Sequence, residues 1–319
     1  MINVISPSAE IWKQDGYTLD AIWKHIARCA RVCYQSTPKN NDESDYDFLV
    51  RTLFKGHDIL KEDYTNEDIV RTHLSVCEHG TVHLKYPLSI PDYDKMTIYY
   101  KLCRNRYTKH HINGTYNYIT TNMRVLIENF CLAALKFIDT TPNCPYYTGR
   151  YTVSFIADVG ISRELNRHRV NSVSEESTRY CAYDKGKFGN GISVIKLPWI
   201  PDIDSTNEGH DYTKGFFNYN EICYDNIISE QYVESWIAVD WFLYGLQICD
   251  LVYRKTRQLG WTAQQAREIL PLNTKTQVVH TAFADDWKHL INLRGNEVSG
   301  KVHPVMKELT NQLIKLINK

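Results

Sequence analysis

Helix-period and strand-period stretches succeed one another in this 319-residue chain without the strand–helix–strand alternation that builds a parallel sheet. That pattern restricts the fold to the α+β class, with a mixed or antiparallel sheet flanked by helices. Leu19, Ile22, Trp23, Ile26, Ala30 and Cys33 fall at helical spacing over residues 19–34, and a second helix is predicted over 67–76. Val82 to Tyr100 mixes alternation with Pro87 and Pro91, which suits a strand and an exposed turn. Residues 120–138 read as a helix, ended by the loop at Pro142, Asn143 and Pro145. Residues 151–157 read as a strand, with a short helix following to Leu165. The longest helical pattern, Val233 to Gln258, closes with Gly260 and is expected to be a core helix. Thr262-Ala263-Gln264-Gln265 is a capping pattern that opens a helix carrying Arg267 and stopping before Pro271. Two last helices are predicted over 281–293 and 302–317.

No repeat or low-complexity linker divides the chain, so residues 1–319 read as a single domain, with an insertion at about 85–150. Thirty-seven acidic residues balance 37 basic ones. A general polyanion binder carries a basic excess, so any anion site here must be local. The nine cysteines are scattered without a Cys-x-x-Cys pair, as expected of reduced thiols in the cytoplasm. No leader-like or membrane-length apolar run appears, and neither a membrane nor a nucleic-acid partner is expected.

The anion site is concentrated in Arg167-His168-Arg169-Val170-Asn171-Ser172-Val173-Ser174-Glu175-Glu176-Ser177-Thr178-Arg179-Tyr180. With Arg163, four arginines fall within seventeen residues. Guanidinium forks bind phosphate oxygens in pairs, and Ser172, Ser174, Ser177 and Thr178 add hydroxyls, so phosphate is the natural partner; a solvated polar loop is the plain alternative. His73, Glu78, His79 and His83 have the side chains of metal ligands but spacings that match no common zinc pattern, so no metal is expected. Gly186, Gly189 and Gly191 have the wrong spacing for a dinucleotide loop. The run Arg104-Asn105-Arg106-Tyr107-Thr108-Lys109-His110-His111 interleaves bases with aromatics, as single-strand RNA binders do.

Arg167-His168-Arg169, seven residues, Ser177, then Arg179-Tyr180 resembles the signature of flavin-dependent thymidylate synthases, the thymidylate synthase-complementing proteins. Ala30 to Tyr34, His73 to His79, Ala266 to Asn273 and Leu290 to Arg294 resemble further segments of that family, in the same order. The resemblance implies a homotetramer with FAD at subunit junctions, and reductive methylation of dUMP to dTMP using methylenetetrahydrofolate as carbon donor and NADPH as reductant. It places His73, Ser75, Glu78, Arg167, His168, Arg169, Glu175 and His289 around the flavin. It assigns Glu164, Arg167, Glu175, Glu176, Ser177, Thr178, Arg179, Arg267 and Arg294 to dUMP. Arg294 and Ser177 are the catalytic candidates: Arg294 as a fixed cation that stabilises charge developing on the pyrimidine, Ser177 as a positioning hydroxyl, because an alcohol without an adjacent base is a poor nucleophile. Phe283, Asp285 and Glu164 depart from the asparagine, arginine and glutamine of compact relatives. A flavin-dependent uracil C5 modifier delivering another substituent, such as hydroxymethyl, is the alternative enzyme; an RNA-binding protein using residues 100–118 is the non-enzymatic one.

Overall fold

The computed structural model describes residues 2–36, 43–60, 65, 72–89, 99–184, 191–200, 237–296, 298 and 300–317. Its centre is a four-stranded antiparallel sheet in the order β2-β6-β9-β7, formed by β2 (Ser8–Trp12), β6 (Arg150–Asp158), β9 (Lys275–Phe283) and β7 (Ser172–Glu175). A second antiparallel sheet runs β3-β5-β4, from β3 (Thr81–Pro87), β5 (Tyr116–Asn122) and β4 (Lys109–Asn113). β1 (Asn3–Ile5) pairs in parallel with β8 (Ser193–Ile195).

The pleat gives the central sheet two unlike faces. In register, Val153 lies opposite His280, Phe155 opposite Val278 and Tyr151 opposite Ala282. Val153, Phe155, Val278 and Ala282 belong to one apolar cluster with Trp287 and Leu290 of α7 (Ala284–Arg294) and Val305, Met306 and Leu309 of α8 (Pro304–Ile317). The alternate residues present hydroxyls to the opposite side. There α1 (Leu19–Tyr34), with α2 (Asp45–Thr52) packed on it, and a 3-10 helix (Leu74–His79) cover them. His25 Nε2 lies 2.9 Å from Thr152 Oγ1, Thr152 Oγ1 lies 2.7 Å from Thr281 Oγ1, and His79 joins Thr281 at 2.7 Å to Ser174 at 3.0 Å. Burying hydroxyls and imidazoles is costly unless they bond one another, and this chain of bonds meets that requirement.

The amphipathic reading of residues 19–34 holds: Thr18 caps α1 through the Ala21 N–H, and Gln35 closes it in the left-handed region at φ 48°. Several expectations need correction. Residues 120–138 are not one helix, because β5 runs to Asn122, which caps α3 (Met123–Glu128). A left-handed Phe130 at φ 53° then separates α3 from a 3-10 helix at Leu132–Phe137. The helix expected over 281–293 begins at Ala284, since residues 275–283 form a central strand. The long pattern ending at Gln258 becomes α5 (Ala238–Gln258), a half-covered helix that buries Leu246 and Tyr253 but leaves Trp241 exposed; residues 233–236 lie outside the described residues. Of the helix expected over 67–76, residues 67–71 lie outside them and Leu74 opens the 3-10 helix. Gly186, Gly189, Pro91 and Cys223 also lie outside them. Residues 159–165 form α4 (Val159–Leu165), and Thr262 with Gln265 makes the capping box of α6 (Ala263–Ala266), as the sequence predicts. Among the described residues no helix is long and apolar enough to cross a membrane.

Candidate active site

α4 ends at Leu165, and the chain must turn through residues 166–171 before β7 begins at Ser172. Backbone bonds from His168 N–H to Leu165 O and from Asn171 N–H to His168 O hold the turn tight. The turn faces α7, and between them lies a cleft of about 570 Å³ lined by Arg167, His168, Arg169, Val170, Asp286, His289, Leu293 and Arg294. Arg167, Arg169 and His289 are exposed, and among the described residues neither arginine has a carboxylate partner. The His168 and His289 rings stand edge to face, with centroids 6.2 Å apart.

His168 is held neutral: burial, then the nearby Arg294, His289 and Arg167, pull its pKa down to about 4. Its Nε2 is buried and without a partner. Arg294 Nη1 donates to Glu164 Oε2 at 3.0 Å, while Arg294 Nε is likewise buried and unpartnered. The cleft therefore presents cations at its rim and two unsatisfied nitrogens deeper in, an arrangement suited to an anionic, planar ligand.

At the far end of β7 the nucleotide-side candidates take different environments. Glu176 has a fully buried side chain, accepting from Lys275 Nζ at 2.6 Å and from the Tyr183 hydroxyl at 3.3 Å. Burial, with the adjacent Glu176 carboxylate, pushes the Tyr183 phenol well above its usual range and keeps it a donor. Glu175 accepts from Asn166 Nδ2 at 3.1 Å and Thr276 Oγ1 at 3.2 Å. Ser177 donates its backbone N–H to Cys33 O and accepts the Arg179 N–H on its hydroxyl; no base touches that hydroxyl among the described residues. Arg267 Nη1 reaches Thr178 Oγ1 at 3.4 Å, and Arg179 grips Gln264.

Residues 144–318 match the family described as thymidylate synthase complementing protein. The chain belongs to that family. The matched span holds the arginine turn, residues 175–179, Arg267 and Arg294, and leaves the helix at Leu74–His79 outside. No curated protein matches the chain. Among solved structures, a UMP/dUMP methylase PolB from Streptomyces cacaoi bound with 5-Br dUMP is 19% identical over 53% of this chain and 66% of that one, with a TM-score of 0.36. The same methylase bound with 5-Br UMP is 15% identical over 99% and 91%, with a TM-score of 0.39. Thymidylate Synthase X from Helicobacter pylori with FAD and dUMP is 14% identical over 97% and 92%, with a TM-score of 0.34. The assignment rests on the family match alone.

This family member thus gathers Arg167, His168, Arg169, His289 and Arg294 in one cleft, with Glu164 paired to Arg294. His73, just before the helix at Leu74–His79, and Ser75 within it are exposed and do not line the cleft; Glu78 pairs with Arg124, and its carbonyl accepts from Arg150 at 2.6 Å. Of the histidines weighed as metal ligands, His79 bonds Thr281 and Ser174 and His83 bonds Thr120. Sequence reasoning missed Lys275, Tyr183, Asn166 and His280. Asn166 was adjacent to the signature and carried the only local signal.

Proposed function

We propose that the chain reductively methylates dUMP to dTMP, with methylenetetrahydrofolate as carbon donor and FAD reduced by NADPH as hydride donor. The observation that supports this most is the cleft in which Arg167, His168 and Arg169 face His289 and Arg294, inside the family-matched span. The donor set fits FAD. Arg167 and Arg169 are open cations for phosphate oxygens, and the buried, unpartnered His168 Nε2 awaits a polar atom. When bound, FAD supplies the redox chemistry.

Every remaining role belongs to the protein. Neutral His168 can hydrogen-bond the flavin without adding charge, and His289 lines the same cleft. Arg294, oriented by Glu164 at 3.0 Å, stabilises negative charge as it develops on the pyrimidine. Glu175, Ser177, Thr178, Arg179 and Arg267 position dUMP, with Ser177 acting through its hydroxyl rather than as a nucleophile. Glu176, fixed by Lys275 and Tyr183, shapes the turn that carries them. His73, Ser75 and Glu78 lie off the cleft's lining, which suits a homotetramer where a second subunit completes each flavin site. We read residues 85–150, which include β4, β5 and α3, as an insertion in a single domain.

The test is a visible spectrum of the purified protein followed by an NADPH-dependent assay with dUMP and methylenetetrahydrofolate, the product identified by mass. A flavin band with dTMP supports the proposal. A different product mass indicates another C5 modification, and no flavin uptake after FAD is added sinks both. Arg294→Ala should abolish turnover while flavin stays bound; normal turnover in that variant would refute its role.

A further inference from the structure

Six residues, Asn166 to Asn171, carry two of the three arginines of the cleft, and both ends of that span are tied to one buried side chain. His280 lies in the middle of β9 with no exposure to solvent. Asn171 Nδ2 lies 3.1 Å from its Nδ1, and Asn166 Oδ1 lies 3.2 Å from its Nε2. An amide nitrogen can only donate and an amide oxygen can only accept, so the ring carries its proton on Nε2 and none on Nδ1. This is a neutral tautomer fixed from both sides. The Phe155 ring meets His280 edge-on at 6.2 Å and limits its movement within the apolar layer.

Asn166 does more than hold one end. Its Oδ1 accepts from His280, while its Nδ2 donates to Glu175 Oε2, at the far end of β7. Glu175 is held in turn by Thr276, which, like His280, belongs to β9. One amide therefore links the turn that bears Arg167, His168 and Arg169 to the residues proposed to position dUMP. Both anchors rise from the central strand of the sheet, a rigid base for a turn that needs its guanidinium groups held in place.

We propose that His280 and Asn166 are positioning residues: together they clamp the span 166–171 to β9 and set the spacing between the arginine cleft and Glu175. Neither needs to touch ligand. The clamp rests on the proposed flavin and dUMP sites for its function, but not for its existence. It also gives a physical reason for a polar, fully buried residue in a strand whose other residues on that face include Val278 and Ala282.

Amide hydrogen exchange across the full chain tests this, in the protein as purified and in two variants. His280→Phe keeps a ring in the layer but removes both hydrogen bonds; Asn166→Ala removes the hub from an exposed position and leaves the core intact. A lost buried hydrogen bond corresponds to roughly ten- to hundredfold in a local opening equilibrium, so amides of 167–171 should exchange about that much faster in both variants while those of β6 hold. FAD dissociation constants and the KM for dUMP should rise by about tenfold, with kcat changing much less. His280→Gln, able to donate and to accept, should recover part of the protection. Unchanged exchange at 167–171 in Asn166→Ala would overturn the clamp. Equal acceleration in β6 and the span would also overturn it, since His280 would then be a general folding contact. Should no version of the protein take up FAD, the exchange data still decide the clamp, and the enzymatic reading fails separately.

Discussion

Lys275→Met should unsettle the nucleotide-side turn more than any surface change. Glu176 is 0% exposed at its side chain and Lys275 17%, with the ammonium 2.6 Å from the carboxylate. Removing the lysine strands a buried carboxylate that, among the described residues, retains only the Tyr183 hydroxyl. Breaking a buried pair from one side costs about 3–5 kcal/mol, because the remaining charge is desolvated and uncompensated. For a single 319-residue unit the unfolding entropy is about 0.7 kcal/mol/K, each kcal/mol lowers Tm by roughly 1.5 °C, and the variant should melt about 4–8 °C lower. Differential scanning calorimetry at one scan rate measures this. Lys275→Met combined with Glu176→Gln removes both charges and leaves the Tyr183 bond, and should regain at least half of the loss. A single-variant shift below about 2 °C, or a double variant less stable than the single, would refute the reasoning, because either result means the pair is not desolvated as the burial indicates.

Acid should weaken the fold before it affects carboxylates. Burial first, then Arg28 and Arg150, lowers His25 to about 4; burial, against an upward pull from Asp139, lowers His83 to about 4; and burial, then His168, lowers His280 to about 3, all from an unfolded value of 6.5. Between those values the unfolded chain binds more protons, so stability is complete above pH 6.5 and is lost as pH falls toward 4; His25 alone accounts for about 3 kcal/mol. A Tm that is the same at pH 7.5 and pH 5 would contradict this. Gly80→Ala should cost about 1–3 kcal/mol by overpacking, because an added Cβ would lie 2.5 Å from Ile26 Cδ1 and 2.9 Å from Ile22 Cγ2. Urea unfolding with an unchanged midpoint would show that α1 yields there.

The arginine cleft was legible in the sequence because its first three residues are consecutive and chemically alike, and α1 because its apolar stripe repeats at the helical period. β9 was not legible, for a physical reason. Its buried side chains include Thr276, His280 and Thr281 as well as Val278 and Val279, so neither alternation nor an apolar run marks it. Polar groups are tolerated there only because distant partners satisfy them: Thr281 bonds His79, 202 positions away, and His280 bonds Asn166, 114 positions away. Local patterns carry no trace of such pairings. The same holds for Lys275, whose partner Glu176 lies 99 positions earlier. The residues that touch ligand in the proposed reaction are chemically conspicuous and cluster in sequence. Those that hold them include His280, Thr276 and Lys275, single polar residues on β9, and their roles exist only once that strand has paired with β7. The strand that gives no signal in the sequence is thus the one on which the geometry of the site depends: His280 holds the arginine turn and, through Asn166, Glu175, while Lys275 holds Glu176 from the same strand.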